Sequence, residues 1–298
     1  MKRVLGIVLF GVGLALGVFA AGLRFYVTPM ATNIPYDLDS STTVAEARNG
    51  VYFDAATGKP QTGTIASTTY VVPQPKLTNE LTGDLAGKAV VWDVYSTITD
   101  SSSGKLLTES TETLALDRKT GAAIDWEGQS EDTDGHNYKL PFNAEQTTYP
   151  YWDGQMGKTV DIAYVATEEI SGLTAYKYEH APINAKITFS GVSNVDYQVA
   201  RTIWVEPTTG QFLNVKQSIK ISLGSTTLLS GDFEYTEDSK TKAADSISTN
   251  KSLLDLVSFG LPIGAGAGGL VLIAVGAVLF ATAPKSTEAE AEAETVAY

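Results

Sequence analysis

The chain has 298 residues, 43% of them hydrophobic, carries 34 acidic against 21 basic side chains for a net charge of −13, and contains no cysteine. A surface this acidic repels phosphate backbones, and no basic stripe with interleaved aromatics offsets it, which excludes nucleic-acid binding. With no cysteine and two histidines it offers neither disulfides nor a zinc ligand set of usual spacing, so any exported domain stands on its own core.

From Val4 to Leu23 there are 20 consecutive residues without a charge. As a helix rising ~1.5 Å per residue they span the ~30 Å hydrocarbon core of a bilayer, so residues 1–24 are expected to form a transmembrane helix. A cleaved signal peptide is the competing reading, because Lys2 and Arg3 make a short basic start and Val18-Phe19-Ala20 resembles a small-residue cleavage site. Residues 25–50, polar and rich in Thr and Ser from Ala31 to Asn49, read as a connecting segment, with order beginning near Val51.

Residues 51–245 read as a mainly β domain, barrel- or sandwich-like, with α+β as the alternative. Strands are expected at Gly63 to Val72, Ala89 to Thr99, Lys105 to Leu116, Thr159 to Val165, Leu173 to His180 and Leu228 to Tyr235. The clearest runs from Val195 to Val205, with Val195, Tyr197, Val199, Ile203 and Val205 on one face and Arg201 the sole charge among them. Its hairpin partner is Phe212 to Leu223, where Leu213, Val215, Ile219 and Ile221 alternate with polar residues. Glu206-Pro207-Thr208-Thr209-Gly210 between them supplies a proline-fixed bend and a glycine that tolerates positive φ, and Asp117-Arg118-Lys119-Thr120-Gly121 is a similar loop.

Residues 246–284 read as a helix from Ser246 through Leu253 leading into a second span, since Leu256 to Pro284 holds 29 uncharged residues. Gly260, Gly264 and Gly268 form a small-residue face that the first span or a separate envelope membrane protein can cover. Lys2 and Arg3 precede the first span and Lys285 follows the second, which places both termini in the cytoplasm and the middle outside, a two-pass topology. Between the spans 17 cations face 30 anions, so that domain alone carries −13. The tail, 285–298, alternates Glu and Ala and reads as an acidic, disordered cytoplasmic segment.

Chemistry is sparse. Neither His136 nor His180 lies near a Gly-x-Ser-x-Gly turn, and His180 reads as a strand-end residue. Ser130, Asp132, Asp134 and Gly135 imitate the opening of a calcium loop, but Pro141 stands where a bidentate Glu belongs, so a polar turn is preferred. Gly83 to Ala89 falls one residue short of a phosphate loop and lacks its Ser or Thr. Glu168 and Glu169 are adjacent on a strand and so point to opposite faces. No catalytic residue, metal or cofactor is implied, and an enzyme acting on glycans would need an acid pair across a groove.

Two candidates for ligand contact remain. Tyr149-Pro150-Tyr151-Trp152 suits the lining of a groove for an apolar or glycan ligand, or else an aromatic corner of the core. Arg201 on its apolar face is placed either to grasp an anionic headgroup or to pair internally, with Asp117 as one partner among many.

Several segments together resemble the actinobacterial porin PorA family: Leu114 to Gly121 with Asp117 and Arg118, Leu140-Pro141-Phe142 with Tyr149 and Asp153, Ser171-Gly172-Leu173 with Tyr176, and Trp204 to Gly210 with Glu206 and Pro207. The order of motifs spans nearly the whole chain, flanking helices included. The resemblance implies an extracytoplasmic β-rich domain similar to lipid-transfer folds, linked to envelope lipoglycans, with a phospholipid or glycolipid as partner. The motif residues Asp117, Arg118, Gly121, Gly172, Tyr176, Glu206, Pro207 and Gly210 are expected to be structural. The alternative is a non-enzymatic scaffold or accessory subunit of an envelope glycosyltransferase or transporter.

Overall fold

The computed structural model describes residues 1–284; the tail from Lys285, where an acidic extension is expected, lies outside the described residues. The chain divides into two compact units, one formed by Met1–Ala31 with the chain from Ser252 onward, the other by Thr32–Lys251.

In the first unit, helix α1 (Lys2–Gly22) continues through a π-turn (Leu23–Val27) into α2 (Thr28–Ala31). Helix therefore reaches seven residues past the expected boundary at Arg24, with Pro29 tolerated in the first turn of α2 directly after the π-turn, and it ends at the polar Thr32-Asn33. Helix α4 (Glu237–Asp255) leads through a second π-turn (Leu256–Gly260) into α5 (Leu261–Ala281). Lys2–Ala31 and Glu237–Ala281 are each long and apolar enough to cross a membrane.

Helices α1 and α5 pack antiparallel through glycines. A Cβ on Gly6 would stand 2.8 Å from the Gly276 carbonyl oxygen, and one on Gly13 would stand 2.6 Å from that of Gly269. The buried positions are Gly6, Gly13 and Ala20 in α1, and Pro262, Gly269 and Gly276 in α5. Seven-residue spacing keeps each set facing its partner, as in a left-handed coiled pair. Gly260, Gly264 and Gly268, the face expected to take either the first span or a separate membrane protein, are not used by α1. A Cβ on Gly264 or Gly268 would meet nothing within 4 Å, and one on Gly260 meets only Leu256 and Asp255 of its own chain segment.

The second unit is built on one eleven-stranded antiparallel sheet in the order β5-β4-β3-β2-β1-β11-β10-β9-β8-β7-β6. Its strands are β1 (Ser41–Asp54), β2 (Lys59–Pro73), β3 (Ala89–Asp100), β4 (Lys105–Asp117), β5 (Ala123–Ile124), β6 (Tyr149–Asp153), β7 (Lys158–Ile170), β8 (Leu173–Phe189), β9 (Val192–Val205), β10 (Phe212–Leu223) and β11 (Thr226–Tyr235). Two meanders, β1–β5 and β6–β11, meet where β1 pairs with β11.

Three strands escaped the sequence. Strand β1 occupies the stretch read as a connection, because Thr42, Thr43 and Val44 are β-branched strand formers although their polarity suggested a loop. Strands β5 and β6 are short, and the aromatic run of β6 looks like a corner rather than a strand. His180 is not a strand end. Strand β8 runs on to Phe189 through a bulge between His180 and Ile183, where Pro182 contributes no N–H to the ladder.

The sheet curls so that its apolar face is inside. One run of buried side chains joins Tyr52, Ile65, Tyr197, Val199, Ile219, Ile221 and Phe233, a second Leu140, Tyr151, Ile162, Tyr178 and Ile203, and a third Val90, Trp92, Val94, Leu114 and Leu116. Burying each large apolar side chain contributes ~1.5–3 kcal/mol. The opposite face is largely polar, with an exposed Tyr70–Tyr95 pair, and smaller apolar clusters form on it under α3 (Pro75–Glu80) and α4. A bulge between Phe212 and Asn214 turns Leu213 outward to Ala244 and Ile247 of α4, whereas strict alternation had placed it inside with Val215. Helix α4 starts nine residues before the expected Ser246, capped by Thr236, whose Oγ1 accepts the Ser239 N–H at 3.2 Å.

Strands β5 and β6 each have a strand neighbour on one side only, and residues 133–144 strap the gap between them. The Gly135 carbonyl accepts the Ala123 N–H at 2.8 Å, the His136 N–H donates to the Pro150 carbonyl at 2.9 Å, and the Trp152 N–H donates to the His136 carbonyl at 2.9 Å.

Candidate functional site

Alternation in β9 turns Arg201 inward between Val199 and Ile203, and the ladder registers set His180 of β8 and Gln217 of β10 directly beside it. The partner of Arg201 is Asp153 at the end of β6, not Asp117. Asp153 is 1% exposed. Its Oδ1 and carbonyl oxygen accept N–H groups of the turn that starts there, Met156 and Gly157. Oδ2 is left to face inward, where it accepts Arg201 Nη1 and Nη2 at 3.3 Å and the Tyr197 hydroxyl at 3.1 Å. Arg201 Nε donates to Gln217 Oε1 at 2.9 Å, and the guanidinium carbon lies 4.8 Å from the centre of the Tyr151 ring.

Burial governs the titration of this cluster. It pushes the Tyr197 hydroxyl up, reinforced by the Asp153 charge, and raises Tyr151 in the same way. His180 is lowered by burial, with Arg201 adding to the effect, so it stays neutral near pH 7. Its Nδ1 lies 2.8 Å from the Ala181 carbonyl oxygen and its buried Nε2 has no hydrogen-bond partner. The result is a charged pair, an amide and phenol groups set inside an apolar lining. Arg201, Asp153, Tyr197 and Gln217 satisfy one another there through hydrogen bonds.

The four residues singled out for ligand contact divide. Arg201 and Tyr151 come together. Tyr149, two residues along the same face of β6, packs edge-on against Tyr178 at 5.8 Å and His136 at 5.7 Å. Trp152 alternates to the other face of the strand and is buried there.

The motif residues shape the end of the sheet that holds the strap. Asp117 Oδ1 accepts the N–H groups of Lys119 and Thr120 at 2.9 and 2.7 Å, and Glu206 does the same for Thr208 and Thr209 at 3.1 and 2.8 Å. Each loop then closes on a glycine at positive φ, Gly121 at 73° and Gly210 at 72°. Pro207 accepts the Ala144 N–H of the strap. Arg118 Nε donates to the Ile34 carbonyl at 2.7 Å, and its guanidinium stacks 3.9 Å from the Tyr36 ring centre. Gly172, with Ser171 also at positive φ, makes the two-residue turn between β7 and β8, and Tyr176 packs on Tyr164 at 5.6 Å.

Sequence reasoning missed Lys139. Its amine is buried without a hydrogen-bond partner, 3.5 Å from the centre of the Phe142 ring, and burial pushes it down to about 7 against the opposing pull of Asp117. His136 on the same strap is pushed down to about 4, chiefly by burial, and its Nδ1 also lacks a partner. A lone cation inside Tyr138-Lys139-Leu140-Pro141-Phe142 was the signal available. Asp153, closing the aromatic run of β6, was visible in the same way.

The model of the family described as Porin PorA matches residues 5–278. The chain belongs to this family. It is similar to a Porin PorA of Corynebacterium resistens, 27% identical over 217 residues, covering 60% of this chain and 52% of the relative. It is also similar to a Porin PorA of Corynebacterium amycolatum, 26% identical over 224 residues, with coverages of 60% and 57%. The chain thus spans little more than half the length of the curated relatives it matches.

Proposed function

We propose that the β unit of this PorA-family protein is a non-catalytic, extracytoplasmic domain anchored by two membrane helices, and that it binds an amphipathic envelope lipid or lipoglycan inside the curled sheet. The observation that carries the reading is an apolar interior behind a seam that no continuous strand ladder closes. A barrel immersed in lipid needs its apolar band outside; here Lys216, Ser218 and Lys220 of β10 face out and Ile219 and Ile221 face in. The seam at Gly135 and His136 rests on a few backbone hydrogen bonds of about 1 kcal/mol net each, a small cost for admitting an acyl chain. Inside, Arg201 reaches Asp153 at 3.3 Å through a single oxygen, longer than the ~2.7–2.9 Å of a strong charge-assisted pair, so an anionic headgroup competes for it. The basic residues flanking the helices favour cytoplasmic termini.

The test is photocrosslinking of the full-length chain in vesicles that contain a phospholipid with a photoactivatable acyl chain. Adducts on inward residues of β9 and β10 support the reading. Adducts confined to α1 and α5 overturn it.

A second reading, a scaffold for another envelope membrane protein, is favoured by the open space beside Gly264 and Gly268. Gly264→Val would then abolish recovery of a partner in mild detergent while the chain stays folded.

A further inference from the structure

On the outward face of the sheet, next to the area covered by α4, β1, β8, β9, β10 and β11 form a groove of about 440 Å³. Two bulges shape it. Arg48 and Asn49 rise from the irregular stretch of β1 between Glu46 and Val51, and Pro182 and Ile183 from the bulge of β8. Between these rims the ladders align two rows of side chains: Asn184, Gln198, Lys220 and Ser230 in one, and Ala200, Ser218 and Asp232 in the other. Small residues in the second row keep the floor low.

Among the described residues, the side chains of Arg48, Asn184, Gln198, Ser218, Lys220 and Asp232 make no hydrogen bond or ion pair with the rest of the protein. Their donors and acceptors are interleaved, since the two amides and the hydroxyl supply both and Asp232 accepts. Arg48 and Lys220 stand on β1 and β10 with β11 and Asp232 between them, so a carboxylate lies between the two cations and offsets their charge over the floor of the groove. Every strand under the groove is paired on both sides, which leaves no backbone edge for an extended peptide. The lining holds no aromatic anchor of the kind that dominates protein interfaces. The volume lies within the ~300–1,000 Å³ of small-ligand sites.

We infer that this groove binds a neutral polyhydroxylated ligand, a short stretch of oligosaccharide, through Asn184, Gln198, Ser218 and Asp232, with Arg48 and Lys220 donating from its sides. The site is separate from the interior and does not depend on lipid binding there.

The experiment uses the full-length chain in nanodiscs of plain phospholipid, prepared without glycosidic detergents, which would occupy the groove. Neutral oligosaccharides of glucose, galactose, mannose or N-acetylglucosamine are titrated in by saturation-transfer NMR, with inorganic phosphate as the competing anion. At least one oligosaccharide binds saturably, Asn184→Ala/Gln198→Ala weakens it tenfold or more, and Thr111→Ala on outward β4 leaves it unchanged. Circular dichroism checks that the variants fold. The inference is overturned if no member binds at millimolar concentration, if the double variant binds as well as the native chain, or if phosphate displaces the sugar.

Discussion

A Cβ on Gly210 would stand 2.0 Å from the carbonyl oxygen of Leu140, so the loop after β9 and the strap across the seam touch backbone to backbone. Gly210→Ala is expected to cost roughly 3 kcal/mol or more, because the left-handed conformation is strained and the strap must move. Gly172→Ala has the same sign of φ but open space around it, and should cost only about 1 kcal/mol. Comparing thermal unfolding of the two variants separates close approach from conformation; equal losses would refute the contact.

The Arg201–Asp153 pair should behave as a buried charge pair. Arg201→Gln strands a carboxylate and is expected to cost about 3–5 kcal/mol, and adding Asp153→Asn should recover part of that loss. Asn at 153 still caps the turn through its side-chain oxygen. A chemical-denaturation cycle of the two singles and the double gives the coupling, and simple additivity would show that the charges do not interact.

Acid should loosen the strap through His136. Its folded value of about 4 lies below the ordinary ~6.5, so the unfolded chain binds the extra proton; the stability is present above ~6.5 and is lost as pH falls toward 4. At roughly 1.4 kcal/mol per unit the loss is about 3 kcal/mol. His136→Phe should flatten the pH dependence of proteolysis within residues 133–144, and an unchanged profile would assign it to another group.

Lys139 predicts a rise on the alkaline side. With a folded value of about 7 against ~10.4 in the unfolded chain, stability grows from pH 7 upward, and the cost of burying the amine is greatest at and below pH 7. Lys139→Met keeps the packing on Phe142 and should stabilise the protein at neutral pH by on the order of 2–3 kcal/mol. A lower melting temperature for the variant would mean that the charge has a use.

Adjacent glycines in α5 should differ sharply. Gly269→Val drives a side chain into Gly13 and Leu16 of α1, whereas Gly268→Val enters open space. Thermal aggregation of the full chain in detergent should come earlier for the first and stay unchanged for the second.

Much of this architecture is legible in local pattern. The inward set Val195, Tyr197, Val199, Ile203 and Val205 is read correctly because a period of two survives along all of β9. The reading fails where a bulge breaks that period, as at Leu213 and beyond His180, and where short polar β-branched residues make β1 look like a loop. The partner of Arg201 was illegible for another reason. Asp153 is 48 residues away, and only the curl of the sheet decides that it, rather than the loop-capping Asp117, faces the guanidinium.

The strand order carries a consequence for biosynthesis. Strands β1 and β11 are neighbours at the centre of the sheet, with Ala45 opposite Tyr235, so the first strand made waits for the last. Each meander can form from nearby contacts as it emerges, but joining them requires nearly the whole domain to be on the same side of the membrane. Until then β1 and β11 each present an unpaired edge, the state in which β-rich chains misassociate. Completion is thus tied to the end of synthesis, and premature termination before Thr226 would leave the first meander with an open edge along β1 rather than a smaller working domain.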